Sequence, residues 1–120
     1  MVLIDTSVWI AHFRKASPGL VHLLEEGQVV CHPFIVGELA CGNLRNRREI
    51  LELLKTLHTS QGATHEETLH FIETHRLMGT GLGYIDVHLL ASAMLSRVRL
   101  WTLDHRLKQA ASRLGIVYQD

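Results

Sequence analysis

The sequence predicts an α/β fold with a parallel sheet of four to five strands, and two patterns support this prediction. Short apolar runs rich in β-branched residues alternate with longer segments whose apolar residues recur at helical spacing. Glycine, proline and helix-capping residues separate these segments. Because strands that alternate with helices form parallel sheets covered on both faces, we expect the 120 residues to fold as one domain spanning 1–120.

The first half of the chain predicts two strands and four helices. Asp5-Thr6-Ser7 directly follows an apolar run and favours a helix start, Ser17-Pro18 begins a second helix, and Gly27 ends it. The expected order is a strand at 1–4, helices that start after residues 5 and 17, a strand at 28–32, and helices at 34–42 and 47–57.

The second half predicts three helices and up to three strands. Its first strand signal, at 59–64, is the weakest in the chain, and a glycine-rich loop at Met78–Gly83 separates the first two helices. The expected helices lie at 65–77, 84–97 and 104–114, with a strand at 98–103 and a last short strand at 116–118.

Charge and composition exclude several classes of protein. Lys and Arg number 12 and Asp and Glu number 12, so the net charge is zero, unlike that of proteins that bind nucleic acid through charge alone. The two cysteines form no C-x-x-C pair and predict no disulfide framework. No apolar run approaches the ~20 residues of a membrane span. We therefore expect no membrane association and a cytoplasmic location.

Three aspartates stand at predicted strand ends or helix starts. Asp5 and Asp104 each follow a strand, and open α/β sheets bind ligands beyond the carboxyl ends of their strands. Asp86 lies in the first turn of the helix at 84–97. Each aspartate could instead cap its helix or interact with the helix dipole, which are common roles for Asp.

Glu38 is the only charged residue in the helix predicted at 34–42, whose other residues are almost all apolar. A helix that is apolar all round is expected to be buried. A buried carboxylate needs a cation, a buried Arg or a backbone donor beside it. With the three aspartates, Glu38 indicates a metal site, because like charges converge only around something positive. Oxygen ligands favour Mg²⁺ or Mn²⁺ over zinc.

The segments that carry these acids resemble, in order, the successive motifs of PIN-domain nucleases, and the small size resembles the VapC toxins of bacterial toxin–antitoxin pairs. These segments are Leu3–Val8, Gly37–Ala40, Asp86–Ser92 and Trp101–Asp104. The resemblance implies a three-layer α/β/α sandwich in which Asp5, Glu38, Asp86 and Asp104 are catalytic metal ligands, supported by Thr6 and Thr102.

The same resemblance implies a metal-dependent endoribonuclease that uses metal-activated water. Family members cut structured RNA such as tRNA or rRNA and leave 5′-phosphate and 3′-hydroxyl ends. They are neutralised by a cognate VapB-type antitoxin and commonly form homodimers. Trp9, Phe13 and Leu20 could line an apolar groove for an antitoxin helix or a dimer contact, although core packing is the simpler interpretation.

The densest basic stretch contains Arg45, Arg47 and Arg48, which are candidates for contacts with RNA phosphates. The alternative is a solvated turn or an antitoxin contact.

Two other functions remain open at this stage. A receiver-type phosphoacceptor domain would pair acids after the first strand and place a Lys near the late strand, whereas only Asp5 is present and no Lys lies near Thr102. A catalytically inactive PIN-fold binding module would leave the acids unused.

Overall fold

The computed structural model describes all 120 residues and contains a four-stranded sheet in which every pairing is parallel. The strands are β1 (Val2–Ile4), β2 (Val29–Cys31), β3 (His58–Thr59) and β4 (Arg99–Trp101). Their spatial order is β3-β2-β1-β4. The first and last strands in the sequence are therefore neighbours, as the register Ile4↔Trp101 shows, and β4 lies at one edge of the sheet.

Seven helices connect and cover the strands, and each expected helix is present. They are α1 (Thr6–Arg14), α2 (Pro18–Glu25), α3 (Pro33–Cys41), α4 (Arg47–Leu54), α5 (His65–His75), α6 (Tyr84–Ser96) and α7 (His105–Arg113). No helix has both the length and the apolar character needed to span a membrane.

The helices start where local sequence supplies a cap. The Ser17 hydroxyl accepts the Leu20 N–H at the start of α2, where Pro18 occupies the first helical position. Thr64 and Glu67 form a reciprocal capping box at the start of α5. The α3 helix is capped by His32, whose ring Nδ1 accepts the Phe34 N–H at 2.9 Å.

The core lies on both faces of the sheet. Every residue of β1 and β2 is buried, and successive strand residues point to opposite faces. Both faces must therefore be covered, which confirms the predicted α/β/α sandwich. The most deeply buried helix is α6, in which every residue from Val87 to Ala93 is buried.

Two strand signals were longer than the strands themselves. The third strand comprises only His58–Thr59 rather than 59–64. The last backbone hydrogen bond from this segment to β2 runs from the Ser60 N–H to the Cys31 carbonyl. The segment at 116–118 makes a single parallel bridge, Leu100↔Val117, and forms no full strand. The sheet therefore has four strands, the lower end of the predicted range.

Candidate active site

Two of the four predicted acids meet at the point where the strand order of the sheet reverses. Asp5 follows β1 and Asp104 lies just beyond β4, and these neighbouring strands connect to helices from opposite ends of the chain. The Asp5 N–H donates to the Trp101 carbonyl at 2.9 Å, which fixes the two strand ends side by side. This is the position at which open α/β sheets bind ligands.

Asp5 is buried, with 7% of its surface exposed, and its carboxylate is held by two hydroxyl groups. Ser7 Oγ donates to Asp5 Oδ2 at 2.7 Å, and Thr102 Oγ1 donates to the same oxygen at 2.8 Å. The side chain makes no capping bond to α1. The helix-cap interpretation of Asp5 is therefore wrong, and its Oδ1 is free of these contacts.

Ser7 is the residue whose importance the sequence did not reveal. Besides its bond to Asp5, its oxygen accepts the Leu103 N–H at 3.0 Å and so joins α1 to the loop after β4. From the sequence, Ser7 could cap the helix or pack just as well as bind a metal. Its position two residues after Asp5 was the available signal, but the partner in that contact lies 96 positions further along the chain.

Asp104 serves as a helix cap and still faces the site. Its Oδ1 accepts the Leu107 N–H at 2.9 Å at the start of α7, and its own N–H donates to Thr102 Oγ1 at 3.0 Å. Thr102 thus touches both aspartates, as expected of a supporting residue. One carboxylate oxygen of Asp104 is used by the cap, which leaves the other for a ligand.

Asp86 lies in the first turn of α6, where its Oδ2 accepts the Gly83 N–H at 3.0 Å. Burial raises the pKa of its carboxyl group, and the negative charges of Asp5 and Asp104 raise it further, while the Gly83 bond opposes this change. The repulsion shows that three of the predicted acids share one region. It also shows that Asp86 would gain from a nearby cation.

Glu38 is exposed, and the expectation of a buried α3 is wrong. Only Ile35 and Leu39 of this helix are buried, because it packs along one side and leaves the opposite side uncovered. Glu38 nevertheless turns toward the other acids, since its Oε1 accepts a hydrogen bond from Thr6 Oγ1 at 2.7 Å. Thr6 directly follows Asp5, which places Glu38 at the edge of the same site.

The glycine-rich loop before α6 packs on the protein itself. Gly81 has a positive φ of +83°, and a Cβ at this position would lie 2.6 Å from a guanidinium nitrogen of Arg106. Both the left-handed backbone and the close approach favour glycine. The close neighbour of Gly81 is thus a side chain of α7.

The donor set of the site suits a hard cation. None of the four acids forms an ion pair, since the only ion pair in the structure joins Lys55 and Glu52. Carboxylate and hydroxyl oxygens without a basic partner are the ligands that Mg²⁺ and Mn²⁺ prefer. No three His, Cys, Asp or Glu side chains converge closely enough to enclose an ion in this arrangement. The residues thus fit such an ion in chemistry, and the site would need side-chain adjustment to enclose it.

The three basic candidates differ in their availability. Arg47 donates from Nε at 3.0 Å and from a terminal nitrogen at 2.9 Å to the Ala40 carbonyl, so it closes the end of α3. Arg45 and Arg48 are exposed and form no ion pair. Of the predicted phosphate contacts, Arg47 is therefore already engaged within the protein.

Histidines near the acids contribute to packing. His88 is buried between the rings of Phe34 and Tyr84, at centroid distances of 4.9 and 4.5 Å. Burial lowers its pKa, and the charge of His65 lowers it further. His88 therefore remains neutral near neutral pH and acts as an aromatic packing group.

Comparison with known proteins adds independent findings. The PIN domain family matches residues 2–113. Ribonuclease VapC32 of Mycobacterium tuberculosis, from strain CDC 1551 / Oshkosh and from strain ATCC 25618 / H37Rv, is 44% identical over 117 residues, which cover 97% of this chain and 94% of the relative. The crystal structure of PAE2754 from Pyrobaculum aerophilum has a TM-score of 0.66 at 14% identity, covering 95% of this chain and 94% of that one. At that identity the likeness concerns the fold.

Proposed function

This chain belongs to the PIN-domain family and is a VapC-type member of it, and from that premise we propose that it is a metal-dependent endoribonuclease toxin. The observation that carries the proposal is that Asp86 lies near enough to Asp5 and Asp104, beside the reversal point of the sheet, to feel their charges, while none of these acids has a basic partner. We further propose that residues 1–120 form one PIN domain.

In this proposal Asp5, Glu38, Asp86 and Asp104 hold Mg²⁺ or Mn²⁺. A divalent cation bound there supplies Lewis acidity toward phosphate oxygens and lowers the pKa of water. Asp5 is the best-ordered of these ligands because Ser7 and Thr102 fix one of its oxygens. His88, two residues from Asp86, packs between aromatic rings and is not available as a base.

The substrate we propose is structured RNA such as tRNA or rRNA, cut to leave 5′-phosphate and 3′-hydroxyl ends. Single-stranded loops of such RNA expose the backbone to a shallow site. An RNA substrate of this kind places the activity in the cytoplasm.

A VapB-type antitoxin is the proposed inhibitor. A groove of about 280 Å³ between α1, α2 and α4 is lined mainly by apolar side chains, among them Phe13, Leu24 and Leu53. Leu53 is 67% exposed, which suits burial by an amphipathic helix of the antitoxin. Of the groove residues suggested by the sequence, Leu20 is instead fully buried in the core.

We also propose a homodimer. Phe34, Tyr84 and Ile85 are 38%, 43% and 37% exposed and lie on α3 and the start of α6. Phe34 and Tyr84 both pack against the His88 ring, so they form one continuous aromatic surface. A second copy of the chain would bury this surface.

The central test replaces Asp5 by Asn and measures cleavage of total RNA with Mg²⁺ or Mn²⁺. We expect a loss of cleavage of at least about 100-fold, because the variant loses a charged ligand, together with an unchanged circular dichroism spectrum. Chelation by EDTA should abolish the wild-type activity. A matched control is Asp120→Asn, which removes one exposed carboxylate far from the acids in sequence. Undiminished metal-dependent cleavage by Asp5→Asn would overturn the proposal.

Membership in the PIN family argues against the receiver-domain alternative. The inactive binding module is tested by the same experiment, since such a module would bind RNA without cutting it. Thermal stabilisation by Mn²⁺ that is absent in Glu38→Gln would support an occupied site even before an RNA target is known.

A further inference from the structure

A second cleft lies at the far end of α1, away from the acids. Its volume is about 510 Å³, and it opens between the end of α1 and the loop that joins α3 to α4. Arg14, Asn43, Arg45 and Asn46 provide its polar lining, and Ile10 and Phe13 form part of its apolar lining. We call this feature the α1–α3 cleft.

The α1–α3 cleft carries positive charge that nothing in the protein neutralises. Arg14 and Arg45 are exposed, and neither forms an ion pair. No Asp or Glu lines the cleft. Asn46 starts α4 with a left-handed backbone, φ 58°, yet its side chain makes no capping bond. An Asn at this position usually caps the helix, so this amide is left available for an external partner.

The α1–α3 cleft is connected to the acid site by the length of α1. Thr6, in the first turn of this helix, touches Glu38, and Arg14 ends the helix beside the cleft. At a rise of 1.5 Å per residue, eight residues span about 12 Å. Ile10 lies midway and lines the cleft. A strand of a few nucleotides bound at the acids and running along α1 would therefore reach Arg14 and Arg45.

We propose that the α1–α3 cleft binds a backbone phosphate and an adjacent base of the substrate RNA, at a subsite a few nucleotides from the scissile bond. Arg14 and Arg45 contact the phosphate, the Asn43 and Asn46 amides bond to base edges, and Phe13 offers an apolar surface to the base. This subsite rests on the proposed ribonuclease function. It assigns RNA contact to Arg14 and the two asparagines, and it excludes Arg47, which holds the Ala40 carbonyl.

RNA suits the α1–α3 cleft better than a protein partner does. The apolar antitoxin groove adjoins it through Phe13 and Ile50, which line both. Arg14 nevertheless lies eight residues along α1 from Thr6, which touches Glu38, so the cleft lies on the helix that begins at the acids. Two unpaired guanidinium groups and two amides match a backbone phosphate and the edge of an adjacent base.

The binding test uses the double variant Arg14→Gln/Arg45→Gln in an Asp5→Asn background, so that the probe survives. The probe is a fluorescein-labelled oligouridylate of about 12 nucleotides, measured in EDTA by anisotropy over a series of salt concentrations. We expect Kd to rise by about 10-fold and the slope of log K against log salt to fall by about 0.7, the value for one phosphate contact on a single strand. The control Arg76→Gln/Arg97→Gln removes two exposed arginines at the ends of α5 and α6 and should change the slope little.

A cleavage test separates the subsite from the catalytic proposal. With Asp5 intact, kcat/KM is compared for a long RNA and for a dinucleotide that is too short to reach the cleft. We expect the ratio of long to short substrate to fall in Arg14→Gln/Arg45→Gln and to stay at the wild-type value in the control. Unchanged binding and an unchanged ratio would overturn the subsite while leaving the ribonuclease intact. If the wild-type chain bound RNA through these arginines but cut no RNA, the catalytic proposal alone would be wrong. Loss of antitoxin binding without loss of RNA binding would assign the cleft to the protein partner.

Discussion

Ser7 connects two parts of the site that are distant in sequence, because its single hydroxyl serves both Asp5 and the Leu103 N–H. We expect Ser7→Ala to destabilise the fold by about 1–2 kcal/mol, since it leaves that N–H unpaired and removes a donor to a buried carboxylate. Cleavage should fall by about 10-fold and recover in Ser7→Thr, which restores the hydroxyl. Urea unfolding and RNA cleavage measure the two effects. Ser112→Ala, which removes an exposed hydroxyl of α7, is the control. Equal activity of Ser7→Ala and wild type would show that Ser7 does not contribute to the site.

Asp86 lowers the stability of the metal-free fold at neutral pH. Its pKa is raised from 3.8, mainly by burial. As pH rises through that range the unfolded chain releases the proton first, so the folded state loses stability as pH increases and the loss persists at neutral pH. Asp86→Asn should therefore raise Tm of the metal-free protein at pH 7 by on the order of a few degrees, while cleavage is lost.

Calorimetry in EDTA at pH 7 and near pH 4 checks this expectation for Asp86. The gain should shrink at the lower pH, where the wild-type carboxyl is more fully protonated. Glu73→Gln, at an exposed acid of α5, should show no such gain. A lower Tm for Asp86→Asn at pH 7 would contradict the account.

At the residue level, the sequence identified the four acids but did not predict which groups their side chains contact. It correctly placed Asp5 and Asp104 after strands, since both strands had clear apolar signals. That these strands are neighbours is shown by the structure. The sequence left open which acids act as caps. Asp5 makes no capping bond, whereas Asp104 caps α7. Capping depends on where a side chain turns, and a tertiary partner such as Thr102 decides that without leaving a local signal.

At the level of elements, α3 depends on a histidine for its start. His32 is 3% exposed, and its Nδ1 accepts the Phe34 N–H while its Nε2 lies 3.1 Å from Ser92 Oγ. The proton must therefore sit on Nε2 and point at Ser92. Burial lowers the pKa of His32 to about 4, with a further contribution from the charge of His88. Protonation at Nδ1 would break the cap of the helix that carries Glu38.

The buried His32 makes the folded state less stable as the pH falls. As pH falls below 6.5, His32 takes up a proton in the unfolded chain but not in the folded chain until pH about 4, so stability falls across that window. The loss amounts to about 3 kcal/mol, from 1.36 kcal/mol for each pKa unit. His32→Asn, which keeps an acceptor for the cap, should lose correspondingly less stability between pH 6.5 and 4 in urea titrations. His22→Asn, at an exposed position of α2, should behave like the wild type. A His32→Asn profile parallel to that of the wild type would refute the assignment.

The positions of the helices were predictable because caps and apolar spacing are local. The extent to which α3 is buried was not predictable. Composition alone does not distinguish an apolar helix that its own chain encloses from one whose apolar side stays uncovered. Phe34 and the start of α6 are exposed in this structure. The weak edge strand β3 was also overestimated, because strand length at an edge depends on how far its neighbour extends.

At the scale of the whole molecule, alternation of strands and helices was sufficient to predict a parallel sheet. The spatial order β3-β2-β1-β4 did not follow from that alternation alone. The charge balance of zero also concealed an uneven distribution. Carboxylates gather at one end of α1, and unpaired arginines gather at the other. An RNA ligand would therefore meet opposite local potentials at the two ends of α1, which orients it along the helix.

The pairing of β1 with β4 has a consequence for synthesis of the chain. Ile4 and Trp101 are partners in the register, and Thr102 bonds to Asp5 across 97 positions. Proteins emerge from the ribosome with the N-terminus first, so Asp5 is made early and waits for nearly the whole chain before its neighbours arrive. A nascent or truncated product that stops before residue 99 lacks both the β1–β4 pair and Asp104. The topology thus delays assembly of the acid cluster until synthesis of the chain is almost complete.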